Sequence, residues 1–339
     1  MPIRLIHLGA GGRGAWPVRE VPGHPDYESV ALVDTSAENL AAARQVSGLS
    51  ESQCFGTLAE AMATVEADAV AVITPPDLHA EQCMEAVVAG KHVLVEKPFA
   101  KSLDSAVQIC SQAAAKDVRV IVCQNRRFCN PAHQMREVVR SGQLGRPEFG
   151  QVSTYGWRPR THHSGRDAHA YLWERGVHDF DAAMYMFDSV PARLWCDSFN
   201  PSWSPYRGGG GIYAWIEFAN GCRCGFTCTF AAHSKGGDTR IDFEGGTVVP
   251  GPEGLVLHAP GADAPQTLTA PSLPSQYDCM LDSLRDYAAG GHPPGISGPA
   301  NLTTIGIIEA MSLSAETGAV VDFADFMQQH TGAPPTPPS

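Results

Sequence analysis

The sequence predicts two domains. The first is an α/β domain on a doubly wound parallel sheet. The second is an α+β domain with an open-faced, mostly antiparallel sheet and helices on one face. Three observations carry this. The apolar run Ile3 to Leu8 passes directly into Gly9-Ala10-Gly11-Gly12-Arg13-Gly14. From there to Cys123, short apolar runs alternate with helical stretches, the rhythm of successive β-α units. Beyond Pro131 the rhythm becomes period two, broken by turn dipeptides such as Asn220-Gly221, which marks antiparallel strands. The expected boundaries are 1–123 for the first domain, 124–325 for the second, and 326–339 for a proline-rich C-terminal tail that should be mobile.

Composition narrows the function classes. The chain has 339 residues, 43% of them apolar, ample for two packed cores. It carries 24 basic against 36 acidic residues, a formal net charge of −12. That excess argues against nucleic acid or an anionic membrane surface as partner. No apolar run is long enough to span a bilayer. Met1-Pro2-Ile3-Arg4-Leu5-Ile6 enters a strand without a signal-peptide layout, so the expected address is cytoplasmic. Ten scattered cysteines read as reduced thiols in such a chain. Cys222, Cys224 and Cys228 invite a zinc site, but they alternate with Arg223, Gly225 and Thr227. That places them on one strand face as small apolar residues, and no metal is expected.

In chain order, Ile3 to Leu8 is the first strand and the glycines that follow fit GxGxxG. Such a turn needs Gly9 for its tightness, Gly11 so that backbone can approach a pyrophosphate, and Gly14 so that helix and strand pack closely. Gly12 and Arg13 complete the loop. The second strand, Ser29 to Val33, ends in Asp34, which is 20 residues past Gly14. This is the spacing of an acid that holds the ribose hydroxyls of a dinucleotide. Thr35 and Ser36 follow, with no Arg or Lys to take a 2′-phosphate. NAD is therefore expected over NADP. A helix over 37–45, a short helix over 58–63, a buried strand over 69–73, and Thr74-Pro75-Pro76 come next. A helix over 78–88 precedes the strand His92 to Val95, which ends in Glu96-Lys97-Pro98. Ligands in open α/β sheets bind outside the carboxyl ends of the strands, so Lys97 stands where cofactor and substrate could meet. A helix over 102–115 and a strand over 118–122 complete the domain. In the second domain a helix over 131–141 precedes six strands between 148 and 258. Helices near 275–289 and 299–317 follow.

One further constellation carries chemistry. Glu174, His178 and Asp181 fall at i, i+4 and i+7, on one face of a helix if the run is α-helical throughout. An imidazole titrates near neutral pH, so His178 suits proton transfer to or from an alcohol oxygen. The run Trp157-Arg158-Pro159-Arg160-Thr161-His162-His163 places cations on a loop expected near His178. With Arg126, they could hold a carboxylate or other anion of a substrate.

Taken together, these residues resemble the Gfo/Idh/MocA family, which includes glucose-fructose oxidoreductase and inositol dehydrogenase. The resemblance covers nearly the whole chain. It rests on Gly9, Gly11, Gly14 and Asp34, on Thr74-Pro75 with His79, and on Glu96-Lys97-Pro98. It also rests on Asn125-Arg126-Arg127-Phe128, and on Gly176-Val177-His178 with Asp181. One position departs: the family's motif begins with Asp where this chain has Glu174. The resemblance implies a Rossmann domain and an NAD(P)-dependent dehydrogenase of sugars, polyols or sugar acids. The second sheet would join a homo-oligomer, a dimer or tetramer. Lys97 would hydrogen-bond the reacting hydroxyl, His178 would be the general base or acid, and Glu174 would assist. Thr74, Pro75, His79 and Glu96 would border the cofactor, with His79 chiefly structural. Arg126, Arg158, Arg160, His162 and Asp181 would border the substrate. Two other readings keep the fold. One is a glycosidase that uses held NAD for transient oxidation and elimination. The other is a non-catalytic regulator, ranked last because Lys97 and His178 are both present.

Overall fold

A computed structural model describes residues 1–338. The chain divides into two compact units. One joins Met1–Asn125 to Pro274–Asn301; the other joins Arg126–Leu273 to the chain from Leu302 onward. The sequence-based boundary at 123 is thus two residues short, and the segment Pro274–Asn301 moves from the second domain to the first.

The first unit runs β1 (Ile3–Leu8), α1 (Ala15–Glu20), β2 (Tyr27–Val33), α2 (Ala37–Ser47), β3 (Cys54–Phe55), α3 (Leu58–Thr64), β4 (Ala69–Val72), α4 (His79–Val88), β5 (His92–Val95), α5 (Leu103–Ala115) and β6 (Val120–Val122). All six strands are parallel, in the order β3-β2-β1-β4-β5-β6. The order reverses between β1 and β4, and the carboxyl ends there border the crevice in which such sheets bind ligands. The central strands are apolar on both faces because helices cover both. Leu5, Ile6, Val70, Ala71, Val93 and Leu94 are fully buried. Helix starts follow capping chemistry: Ser36 caps α2, Thr57 and Glu60 form a capping box on α3, and Ser102 caps α5.

The second unit contains α6 (Ala132–Ser141), β7 (Pro147–Trp157), α7 (Val177–Phe187), β8 (Pro191–Phe199), β9 (Gly211–Phe218), β10 (Arg223–Thr229), β11 (Ala231–Gly236), β12 (Thr239–Phe243), β13 (Gly246–Gly251), β14 (Gly254–His258) and β15 (Gln266–Thr269). The chain then returns to the first unit as α8 (Gln276–Ala288). Here Tyr277 stacks on Trp16 at 4.9 Å between centroids, and the Tyr27 hydroxyl donates to the Leu281 carbonyl at 2.7 Å. Periodicity marks α8 as amphipathic, but it does not say which core its apolar face covers. Helix α9 (Gly298–Thr317), β16 (Val321–Asp322) and α10 (Phe323–Thr331) close the chain.

The second sheet has ten strands in the order β15-β14-β13-β12-β7-β10-β9-β8-β16, with β11 also on β7. It is antiparallel except for the β7–β10 pair. Helix α7 lies on one face, where Phe180 meets Phe226 edge-on at 4.9 Å and Phe187 stacks on Phe218 at 4.9 Å. Cys222, Cys224 and Cys228 share the buried side of that alternation. Burial pushes all three thiols up, Cys222 and Cys228 to about 12.

The tail differs from expectation. Residues 326–331 continue α10, with Phe326 and Met327 buried. Beyond it, the Thr336 N–H donates to the Thr303 hydroxyl at 2.9 Å, and the Pro338 carbonyl accepts from Arg136 at 3.1 Å. The segment is docked rather than loose. Ser339, the last residue of the expected tail, lies outside the described residues.

Candidate active site

In the first unit the glycine turn is built by close backbone approach. Gly9 has φ +89°, and a Cβ there would press on the Ile73 carbonyl carbon at 2.8 Å. A Cβ on Gly14 would run into the Gly9 carbonyl. The Gly9 N–H donates to the Val33 carbonyl at 2.8 Å, which ties the turn to the end of β2.

Asp34 anchors the turn from that strand end. Its Oδ2 accepts from the Ala10 N–H at 2.8 Å and its Oδ1 from the Ser36 N–H at 2.8 Å. The Asn39 amide bridges both oxygens at 3.2 Å each. A cleft of about 620 Å³ opens beside these groups, lined among others by Gly11, Asp34, Asn39 and Thr74. That volume suits an extended small molecule. The ionisable residues lining the cleft are Asp34, Glu81 and Glu85, all acidic. Burial, then the neighbouring Glu81, pushes the Glu85 carboxyl up. This geometry fits a dinucleotide: bare glycine backbone for a pyrophosphate and a carboxylate for a ribose diol.

The turn after β5 is wired to the same loop. Glu96 is buried, and its Oε1 accepts from Arg13 Nε at 2.7 Å while its Oε2 accepts from the Lys97 N–H at 2.9 Å. The Lys97–Pro98 peptide is cis. Lys97 is half-buried just past the carboxyl end of β5. His79 is fully buried, with Nδ1 at 2.7 Å from the Pro98 carbonyl and Nε2 at 2.9 Å from the Thr74 carbonyl. Burial holds its pKa below the ordinary imidazole value, and the two carbonyls oppose that shift. His79, expected to be chiefly structural at the cofactor border, thus fastens the two turns together. Thr74 donates to Gln82 at 2.5 Å, and Pro75 is exposed.

In the second unit, the helix expected through Glu174, His178 and Asp181 is not α-helical throughout. A π turn, Leu172–Gly176, precedes α7. Its wider turn breaks the i, i+4, i+7 face on which the sequence reading placed both carboxylates with the imidazole. Glu174 turns to Arg158, Ser164 and Tyr206. Asp181, expected beside the substrate, forms a buried two-pronged ion pair with Arg127 at 2.8 and 2.7 Å and accepts from the Thr304 hydroxyl at 3.0 Å. Those three donors make it structural, because a carboxylate removed from water needs them. His178 is half-buried in the first turn of α7.

The expected anion-binding cations separate. Arg126 donates to the buried Asp179 at 2.5 Å, and Asp179 also accepts from the Tyr171 hydroxyl at 2.7 Å. A cavity of about 240 Å³ adjoins Arg126 and Asp179. Arg158 is taken by Glu174. Arg160 and His162 are exposed, and His162 Nδ1 lies 2.9 Å from His163 Nδ1. Sequence reading missed Asn39, Asp179, Ser164 and Tyr206. Only Asn39 had a signal, since it lies in the first turn of the helix capped beside Asp34.

Comparison with known proteins follows the same division. Residues 3–124 match the family model described as the oxidoreductase family, NAD-binding Rossmann fold, and residues 132–249 match the GFO/IDH/MocA C-terminal domain. The chain is 29% identical to 1,5-anhydro-D-fructose reductase of Ensifer adhaerens over 64% of this chain and 66% of that protein. An oxidoreductase from Agrobacterium radiobacter, solved with NAD+, L-tartaric acid and magnesium, superposes with a TM-score of 0.81 at 21% identity, covering 96% and 99% of the two chains. Aldose-aldose oxidoreductase from Caulobacter crescentus, complexed with glycerol, gives 0.83 at 21% identity, covering 95% and 100%.

Proposed function

We propose, from the premise that this chain belongs to the GFO/IDH/MocA family of NAD-binding oxidoreductases, that it moves a hydride to or from a hydroxyl-bearing carbon of a sugar, polyol or sugar acid. The observation that carries the reading is Glu96, which links Arg13 of the glycine turn to the Lys97 backbone. One buried acid thus sets the cofactor turn and the catalytic candidate in a fixed relation within the first unit. Relatives that act on an anhydro sugar and an aldose support the substrate class.

NAD, when bound, supplies the acceptor or donor of the hydride. The glycine turn offers backbone N–H groups to the pyrophosphate, and Asp34 offers its carboxylate to the ribose diol. The acidic lining of the cleft favours NAD over NADP, because a 2′-phosphate would meet like charge. Lys97 donates a hydrogen bond to the reacting oxygen and steadies negative charge there as the C–H bond breaks. His178 takes the hydroxyl proton in oxidation and returns it in reduction. Homo-oligomers through the second sheet remain part of the proposal. Phe149 and Tyr213, 54% and 50% exposed on β7 and β9, support it, and sedimentation of the purified chain tests it.

The functional test is a panel of myo-inositol, D-glucose and D-glucuronate with NAD, read by nicotinamide absorbance and product mass together. Turnover with net NADH supports the reading, and no oxidised product from any member opposes it. Lys97→Ala should abolish that turnover while NAD still binds. Unchanged turnover would remove Lys97 from its role.

A further inference from the structure

Glu174 stands where the family motif begins with Asp, and its surroundings give the longer acid a use. It is 4% exposed and sits in the π turn. Arg158 pairs with its Oε1, and the Ser164 hydroxyl donates to its Oε2. The Tyr206 hydroxyl donates to the same Oε2 at 3.4 Å. Arg158 is itself seated: its guanidinium lies 4.0 Å from the centroid of the Phe230 ring, and its backbone N–H donates to the Phe230 carbonyl at 2.9 Å. Tyr171 and Tyr206 pack on that ring at 4.7 and 5.4 Å. One buried carboxylate therefore fastens both ends of the segment from Arg158 to Ser164. Between those anchors Arg160, Thr161, His162 and His163 are exposed.

We propose that Glu174 is a positioning residue that clasps the 158–164 segment, and that the reaction's proton does not pass through it. A buried carboxylate needs a countercharge and hydrogen-bond donors, and Arg158, Ser164 and Tyr206 supply them. An aspartate would be about 1.5 Å shorter in reach and could not hold Arg158 and Ser164 together without backbone movement. The same pairing withdraws Arg158 from substrate recognition. The arginine of this segment that remains for an anionic substrate is Arg160. What is clasped is thus the segment that presents it.

The test uses the full chain and four variants: Glu174→Asp, Glu174→Gln, Arg158→Met, and the double change Glu174→Gln with Arg158→Met. Brief trypsin digestion is followed by mass spectrometry for cleavage after Arg160 and Arg166. Arg158 precedes Pro159 and is not itself cut. Each single variant should raise early cleavage about tenfold, because local opening becomes easier. The double variant should stay as open as the single ones, because no charge pair is left to fasten the segment. A return to the natural level would assign the single-variant effects to an unpaired buried charge and overturn the clasp. Glu174→Asp is the mildest change and keeps the test decisive if another single variant melts globally. Unchanged cleavage in Glu174→Asp and in a folded second single variant would overturn the clasp.

A kinetic arm, which rests on the oxidoreductase reading, uses NAD with D-glucuronate and with myo-inositol. Glu174→Gln should raise KM about tenfold and leave the pH profile of kcat in place. A lost limb in that profile would instead make Glu174 the proton carrier. If neither compound is turned over, the functional reading is what fails, and the cleavage arm still decides the clasp.

Discussion

Replacing Asp34 by alanine removes both its jobs, and the two cofactors report them differently. Its oxygens accept from Ala10 and Ser36 backbone N–H groups at 2.8 Å, and from the Asn39 amide at 3.2 Å on each oxygen. A carboxylate has about four acceptor positions, so the Asn39 amide covers the two that a ribose diol would take. Binding of NAD therefore displaces that amide. A hydrogen bond to a charged group contributes about 1.5–3 kcal/mol, so Asp34→Ala should weaken NAD about 10- to 100-fold. It should weaken NADP far less, because losing the turn anchor is offset by removing the like charge that faces the 2′-phosphate. Asn39→Ala should act in the opposite sense. Removing a competitor worth about 0.5–1.5 kcal/mol should tighten NAD about two- to tenfold. Both affinities are read by titration calorimetry with NAD and NADP. Equal weakening of the two cofactors by Asp34→Ala would refute the ribose contact. Weaker NAD binding in Asn39→Ala would refute the displacement.

Other outcomes follow from buried contacts. Gly14→Ala places a methyl against the Gly9 carbonyl and should cost about 1–3 kcal/mol, seen as a lower Tm together with weaker NAD binding. Asp181→Asn leaves the buried Arg127 without its countercharge. It should cost about 3–5 kcal/mol in urea unfolding, whereas Arg127→Met with Asp181→Leu should cost less than that single change. Burial lowers the pKa of His7 to about 4, while the unfolded chain keeps about 6.5. The unfolded state then binds more protons between those values. Stability from this residue is full above pH about 6.5 and is lost as pH falls towards 4, by about 3 kcal/mol. In His7→Gln the slope of stability over that window should shrink; an unchanged slope would assign it to other groups.

Much of this was legible because local patterns carry their own physics. The strand–glycine–helix turn, Asp34 at the end of β2, and the alternation that builds the parallel sheet all depend on neighbours within a few tens of residues. The alternating strand at Cys222 to Cys228 read correctly as core for the same reason: period two places side chains on one face whatever lies opposite. The amphipathic helix over Gln276–Ala288 did not, because an apolar stripe does not name the core it covers. The tail's contacts with Thr303 and Arg136 also had no local trace.

The carboxylates mark the division most sharply. Composition and spacing were enough to single out Glu96, Glu174 and Asp181 as acids beside reactive groups. Their roles depend on partners far away in the chain. Arg13 reaches Glu96 across 83 positions, Arg127 reaches Asp181 across 54, and Thr304 reaches Asp181 across 123. Whether an acid is a proton carrier, a ligand or an anchor depends on what neutralises it once water is gone. That is settled by folding, which brings the countercharge to it, and the π turn at Glu174 shows how one irregular turn redirects a side chain whose type and position were already known.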